Sequence, residues 1–89
     1  MKKAILRWND EKNEWLIKER GISFDELAQA IYSGAVLDDI KHPIKANQRI
    51  LLVWHQSYVW AVPYIMEETG AFLKTAFKSR KYNKRYGHD

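Results

Sequence analysis

The chain predicts an α+β domain in which two N-terminal helices pack on a small antiparallel β-sheet of three to four strands. Three observations carry this. A capping-box signature opens a run of apolar residues at helical spacing, Ser23 to Ile31. After residue 35 the period changes, and short runs rich in Val, Ile, Trp and Tyr follow one another with turn residues between them. Of the 89 residues, 46% are hydrophobic, with four Trp and five Tyr, enough to build one modest core and to exclude a disordered chain.

The elements follow in order. Ala4–Trp8 reads as a short strand. Asn9 or Asp10 then caps a first helix over residues 10–20, because a short polar side chain accepts from the free N–H groups of the first turn. Acids lead this helix and Lys18 and Arg20 close it, as the helix dipole favours, with Gly21 as the stop. Ser23-Phe24-Asp25-Glu26 opens the second helix as S-x-x-E, with Ile22 and Leu27 placed as a hydrophobic staple. Phe24, Leu27, Ala28 and Ile31 share one face, and Gly34 ends the element. Val36–Ile40 is a short strand, and Lys41–Gln48 a polar loop containing His42-Pro43. Arg49–His55 is apolar on both parities, as a central strand would be. Gln56-Ser57 makes a tight connection to Tyr58–Ile65, which pairs back as a hairpin. Pro63 has no N–H to donate, so that strand is expected at an edge or bulged there. Met66–Gly70 is a turn, Ala71–Phe77 a last strand, and the basic tail from Lys78 is extended or a short helix. The whole is a single domain, residues 1–89, with a basic tail over 78–89.

The charge is unevenly placed. From Ala71 onward there are six basic residues (Lys74, Lys78, Arg80, Lys81, Lys84, Arg85) and one acid, Asp89, a net of +5. The first seventy residues carry nine basic and ten acidic groups, a net of −1. A near-neutral body with a basic, tyrosine-dotted end suits a polyanion. There is no cysteine, which excludes disulfides and Cys-based zinc sites and fits a reducing cytoplasm. Three scattered histidines lack metal-ligand spacing, and no Gly-rich phosphate loop is present, so neither a metal nor a cofactor is expected. The N-terminus lacks the apolar run of a signal peptide. The longest apolar stretch, residues 50–66, is interrupted by His55-Gln56-Ser57, so no membrane span is expected.

Several segments taken together resemble the BrnT-type toxins of bacterial type II toxin–antitoxin systems, within the RelE/ParE-like superfamily. Trp8-Asn9-Asp10-Glu11-Lys12 is similar to the family's W-D-x-x-K opening. Glu19-Arg20-Gly21-Ile22-Ser23-Phe24-Asp25-Glu26 is similar to its K-H-G-[IV]-x-F-x-[DE] segment, with Glu19-Arg20 standing where the family has Lys-His. Arg49 before an apolar strand resembles its Arg-led strand. Lys78-Ser79-Arg80-Lys81 and then Lys84-Arg85-Tyr86 resemble its closing S-x-R-K and basic tail, with the spacing compressed. The resemblance implies a RelE-like fold and a metal-independent endoribonuclease acting on mRNA, free or on the ribosome. It also implies neutralisation by a DNA-binding antitoxin of ribbon-helix-helix type.

Metal-free RNA cleavage needs a base for the ribose 2′-hydroxyl, cations for the phosphorane and an acid for the departing 5′ oxygen. Arg80 and Lys81 are the leading cations, followed by Arg49 and Arg20; a solvated charge run is the plain alternative. For acid–base work the chain offers His42, His55, Tyr64, Tyr86 and Glu67, of which His55, at the end of an apolar strand, joins Arg80, Lys81 and Arg49 as a catalytic candidate. His88 stands one residue from the terminus. Arg20, Lys78, Lys84 and Arg85, with Tyr82 and Tyr86, are the candidate RNA-binding residues. The two tyrosines are four apart, so in a helix both rings share a face, either stacking on unpaired bases or packing the tail on the sheet. Trp8, Trp15, Trp54 and Trp60 read as core. A non-catalytic nucleic-acid-binding or protein-interaction module on the same fold is the alternative function, and Glu19-Arg20 in place of Lys-His favours it.

Overall fold

The computed structural model describes residues 5–87; Ala4, His88 and Asp89 of the segments read above lie outside it. The described chain is an α+β domain whose element order is β1 (Leu6–Arg7), α1 (Asp10–Arg20), α2 (Phe24–Tyr32), β2 (Val36–Lys41), β3 (Arg49–His55), β4 (Tyr58–Glu67), β5 (Gly70–Leu73), β6 (Phe77–Lys78) and α3 (Arg80–Tyr86). The strands form one sheet in the order β1-β5-β4-β3-β2, with β6 pairing the first part of β4. Two expectations are corrected. The sheet has six strands, and β1 joins its edge parallel to β5. The helices are not confined to the N-terminal half, because the basic tail forms α3.

The helix signals act as the sequence implies. Asn9 accepts from the Lys12 N–H and caps α1, and Gly21 closes it in the left-handed region at φ 66°. Ser23 accepts from the Glu26 N–H while Glu26 Oε1 accepts from the Ser23 N–H, the full capping box of α2. Asn13 joins the two helices: its Oδ1 accepts from the Phe24 N–H at 2.6 Å, satisfying a first-turn donor of α2. The staple residues Ile22 and Leu27 are both fully buried.

The sheet separates two apolar clusters. Leu51, Val53, Trp60, Val62 and Tyr64 project to the side covered by α1 and α2, where they meet Leu16, Ile22, Phe24, Leu27 and Ile31. Ile50, Leu52, Val59 and Ala61 project to the other side, where Tyr82 and Tyr86 of α3 pack on them. The α-on-sheet core is therefore completed by a third layer from the tail.

Pro63 explains how the expected last strand divides. Contrary to the expectation of an edge or a bulge, its strand lies inside the sheet, and Pro63 faces Ile50 in an unbroken β3–β4 register. On its other side its carbonyl accepts from the Lys74 N–H at 2.8 Å. The reciprocal bond requires an N–H that proline lacks, so the ladder stops there. The chain leaves the sheet over residues 74–76 and returns as β6. Past that break Ser79 and α3 take over as the partner of β4: the Ser79 N–H donates to Val59 O, and Asn83 Oδ1 accepts from the Val59 N–H, both at 3.0 Å.

Candidate nucleic-acid interface

Cations and aromatic rings alternate across one end of the molecule. On α1, Lys12 Nζ lies 4.0 Å from the centre of the Trp15 ring, and the Arg20 guanidinium lies 4.7 Å from the same ring. Trp15, expected in the core, is 40% exposed, with both cations standing over its ring. Arg20 extends to the segment between β5 and β6, where its Nη1 donates to Ala76 O at 2.6 Å. Arg20, Trp60, Phe77 and Lys78 then line a cleft of about 350 Å³. Lys78 Nζ stands 5.4 Å from the Tyr58 ring and 5.8 Å from the Trp60 ring. The Trp60 indole N–H is buried and has no acceptor. A second hollow of about 490 Å³ is larger, but no basic residue lines it (Trp8, Asp25, Ala28, Gln29, Tyr32 and Ser33), so it does not suit an anion.

Arg20 and Lys78, distant in sequence, are thus brought together. The break at Pro63 does this: β6 pairs Lys78 with Trp60, on the strand that runs under the helices, and Arg20 holds the detached segment from the other side. The other candidates are distributed differently. Arg49 begins β3 and is held by Asp39, its Nε donating to Asp39 Oδ1 at 3.0 Å and its Nη2 to Asp39 O at 2.9 Å. That contact holds the Arg49 pKa above its ordinary value. Tyr64 OH donates to the second oxygen of Asp39 at 2.7 Å, and burial, aided by that carboxylate, pushes the phenol up to about 12. His55 ends β3, six residue steps from Arg49 and so about 20 Å away. Arg49 and His55 therefore cannot act on one phosphate.

Arg80, Lys81, Lys84 and Arg85 are exposed on α3, on the opposite side of the sheet from α1 and α2. Lys81 Nζ lies 5.3 Å from the Tyr82 ring. Of the two roles open to Tyr82 and Tyr86, the structure displays the packing one. Their rings lie 6.4 Å apart on the second cluster, and Tyr86 OH donates to Asp38 Oδ2 at 2.7 Å. That bond raises the Tyr86 pKa and is the main reason the Asp38 carboxyl sits below its usual range. His42 holds its loop, its Nδ1 accepting from the N–H groups of Ile44 and Lys45.

Sequence reasoning missed Lys12, Trp15, Tyr58 and Phe77 as parts of this surface, while Trp60 is core as expected, 1% exposed. The i, i+3 spacing of Lys12 and Trp15 was visible on a predicted helix. The Trp60–Lys78 juxtaposition was not, since it depends on the break between β5 and β6. Comparison of the chain with protein-family models, with curated proteins and with solved structures gave no match. Among the described residues no helix is long and apolar enough to cross a membrane, and no cluster of three or more His, Cys, Asp or Glu side chains is placed to hold a metal.

Proposed function

We propose that this chain binds unpaired RNA along the Lys12–Trp15–Arg20–Lys78–Tyr58 surface and acts there as a metal-independent endoribonuclease toxin of BrnT type. The observation that carries the reading is the alternation of cations and rings around the 350 Å³ cleft. Unpaired bases stack on exposed rings, while adjacent cations follow the phosphates. A duplex, whose bases are already stacked, has no use for the rings. The α+β layering is compatible with a RelE-like fold. In that reading a ribbon-helix-helix antitoxin covers the basic surface in the cytoplasm, and the charges of α3, led by Arg80 and Lys81, supply a second anionic contact.

The test is binding of a fluorescein-labelled single-stranded RNA, followed by anisotropy across a salt series. Arg20→Gln with Lys78→Gln is expected to weaken binding at least tenfold and to lower the salt slope by about 1.4, two phosphate contacts at about 0.7 each. A double variant that binds as the wild type does, with the same slope, refutes the assignment. For cleavage, induced expression without the antitoxin is expected to arrest growth and degrade mRNA.

The second reading, a binding module without catalysis, is favoured by one observation: Arg49 is held by Asp39 at the far end of β3 from His55. Purified protein that binds RNA with steep salt dependence and never cuts it would establish that reading in place of the first.

A further inference from the structure

A second group of residues stands beside the cleft, at the hairpin end of the sheet. His55 and Tyr58 face each other as the last pair before the β3–β4 turn. Lys78 stands over the Tyr58 ring. From the helix side, Glu26 brings Oε2 to within 3.5 Å of His55 Nε2. Glu26 is held on a rigid element, because its other oxygen, Oε1, accepts from both the N–H and the hydroxyl of Ser23 in the capping box. Among the described residues His55 Nε2 is buried and makes no hydrogen bond, and the Glu26 carboxylate at 3.5 Å is the charged group that faces it. The imidazole keeps 22% exposure, and Nε2 contributes none of it, so the open part of the ring faces away from Glu26.

We infer that Glu26 is a positioning residue for His55: it fixes the imidazole in the tautomer protonated at Nε2 and leaves Nδ1 as the general base for a ribose 2′-hydroxyl. The inference rests on the endoribonuclease reading above and gives it a base. Nδ1 takes the 2′ proton, the 2′ oxygen bonds to phosphorus, and the bond from phosphorus to the 5′ oxygen breaks. The Lys78 ammonium neutralises the phosphorane and returns a proton to the departing 5′ oxygen. The products are a 2′,3′-cyclic phosphate and a 5′-hydroxyl, with no oxidant or metal required. A neutral imidazole carries one N–H, so the group that Nε2 faces decides which nitrogen is basic.

Glu26→Gln separates this role from capping. A glutamine keeps the capping box, since its carbonyl accepts from Ser23. Its amide N–H₂ then faces His55 Nε2 and donates to it, moving the imidazole proton to Nδ1 and removing the base. Long-range ¹H–¹⁵N NMR is expected to show the Nε2–H form in the wild type and the Nδ1–H form in Glu26→Gln. Cleavage of a single-stranded RNA is expected to lose about 10²–10⁴-fold in kcat in Glu26→Gln and in His55→Ala, with KM within about twofold. Circular dichroism checks that the variants fold. If the wild type cleaves RNA and Glu26→Gln keeps both its tautomer and its kcat, the positioning role is refuted and the function stands. A wild type that cuts no RNA refutes the function and the inference together, and the NMR arm then reports His55–Glu26 as a tether between β3 and α2.

Discussion

Leu16→Ala is the sharpest test of how α1 is attached. Leu16 is the one buried residue of α1, which otherwise has no apolar stripe. The rest of its attachment is polar: Asn13 to the Phe24 N–H and Arg20 to Ala76 O. Removing three buried carbons forfeits about 2.4 kcal/mol at about 0.8 kcal/mol each. A residual cavity adds to this, and buried Leu→Ala changes cost about 3–5 kcal/mol in comparable cores. We expect a loss of about 3 kcal/mol in urea unfolding, followed by far-UV circular dichroism and by tryptophan fluorescence. If α1 detaches before the sheet unfolds, the two probes separate and the urea dependence becomes shallower. Under the proposed function RNA binding falls with it, because Lys12, Trp15 and Arg20 all ride on this helix. A loss below about 1 kcal/mol with coincident probes would refute the claim that α1 docks through Leu16.

Other consequences can be measured in the same way. The Tyr64 phenol is raised from 10.0 to about 12, so between those values the unfolded chain holds fewer protons than the native one; stability falls as pH rises above 10, by about 2–3 kcal/mol from this group, and Tyr64→Phe removes that part of the slope. Gly70 has φ of 140°, and a Cβ there would strike the Ile5 carbonyl oxygen, so Gly70→Ala is expected to cost more than about 2 kcal/mol and to loosen β1 from β5 in hydrogen exchange. Tyr86→Phe is expected to lower the urea midpoint at neutral pH; the Asp38 carboxyl is held below its ordinary value first by that hydroxyl, so the difference from wild type disappears as pH falls through the lowered Asp38 value. Gln56 and Ser57 both adopt positive φ, 53° and 58°, as a two-residue type I′ turn requires, so Gln56→Asn with Ser57→Gly is expected to stabilise by about 1 kcal/mol in thermal unfolding.

What the sequence displayed was whatever a few neighbouring residues decide. The caps at Asn9 and Ser23, the staple of Ile22 and Leu27, the hairpin at Gln56-Ser57 and the two-sided burial of β3 are local chemistry, and each stands as its residues imply. What stayed hidden depends on partners far along the chain. Pro63 implies an edge or a bulge in its own strand, yet β4 is internal and regular, and the interruption falls in the neighbouring strand at Lys74, eleven residues on. Tyr82 and Tyr86 carried both a stacking and a packing reading because the second face of the sheet is visible only once Ile50, Leu52, Val59 and Ala61 are seen to share it. Trp15 misled by type: a tryptophan usually adds to a core, yet here Lys12 and Arg20 flank an exposed ring. Of the candidate site, Arg20, Lys78 and His55 were legible as residues, while their neighbours Glu26 and Tyr58 were not.

The hairpin end of the sheet collects features that a purely structural end would not need. Two non-glycine residues are held in the left-handed region, each at a cost of about 1 kcal/mol that Asn-Gly would largely remove. The turn they form sets His55 opposite Tyr58. The break in the neighbouring strand sets Lys78 over Tyr58 and leaves the Trp60 indole without an acceptor. A buried unpaired donor and a strained turn each lower stability, and folds tolerate such features most often where they serve binding or chemistry. At the opposite end of β3, by contrast, Asp39 accepts from both Arg49 and Tyr64. The two ends of one strand thus differ in how far their polar groups are satisfied, and that difference, more than the count of positive charges on α3, is what supports the proposal of a site at His55.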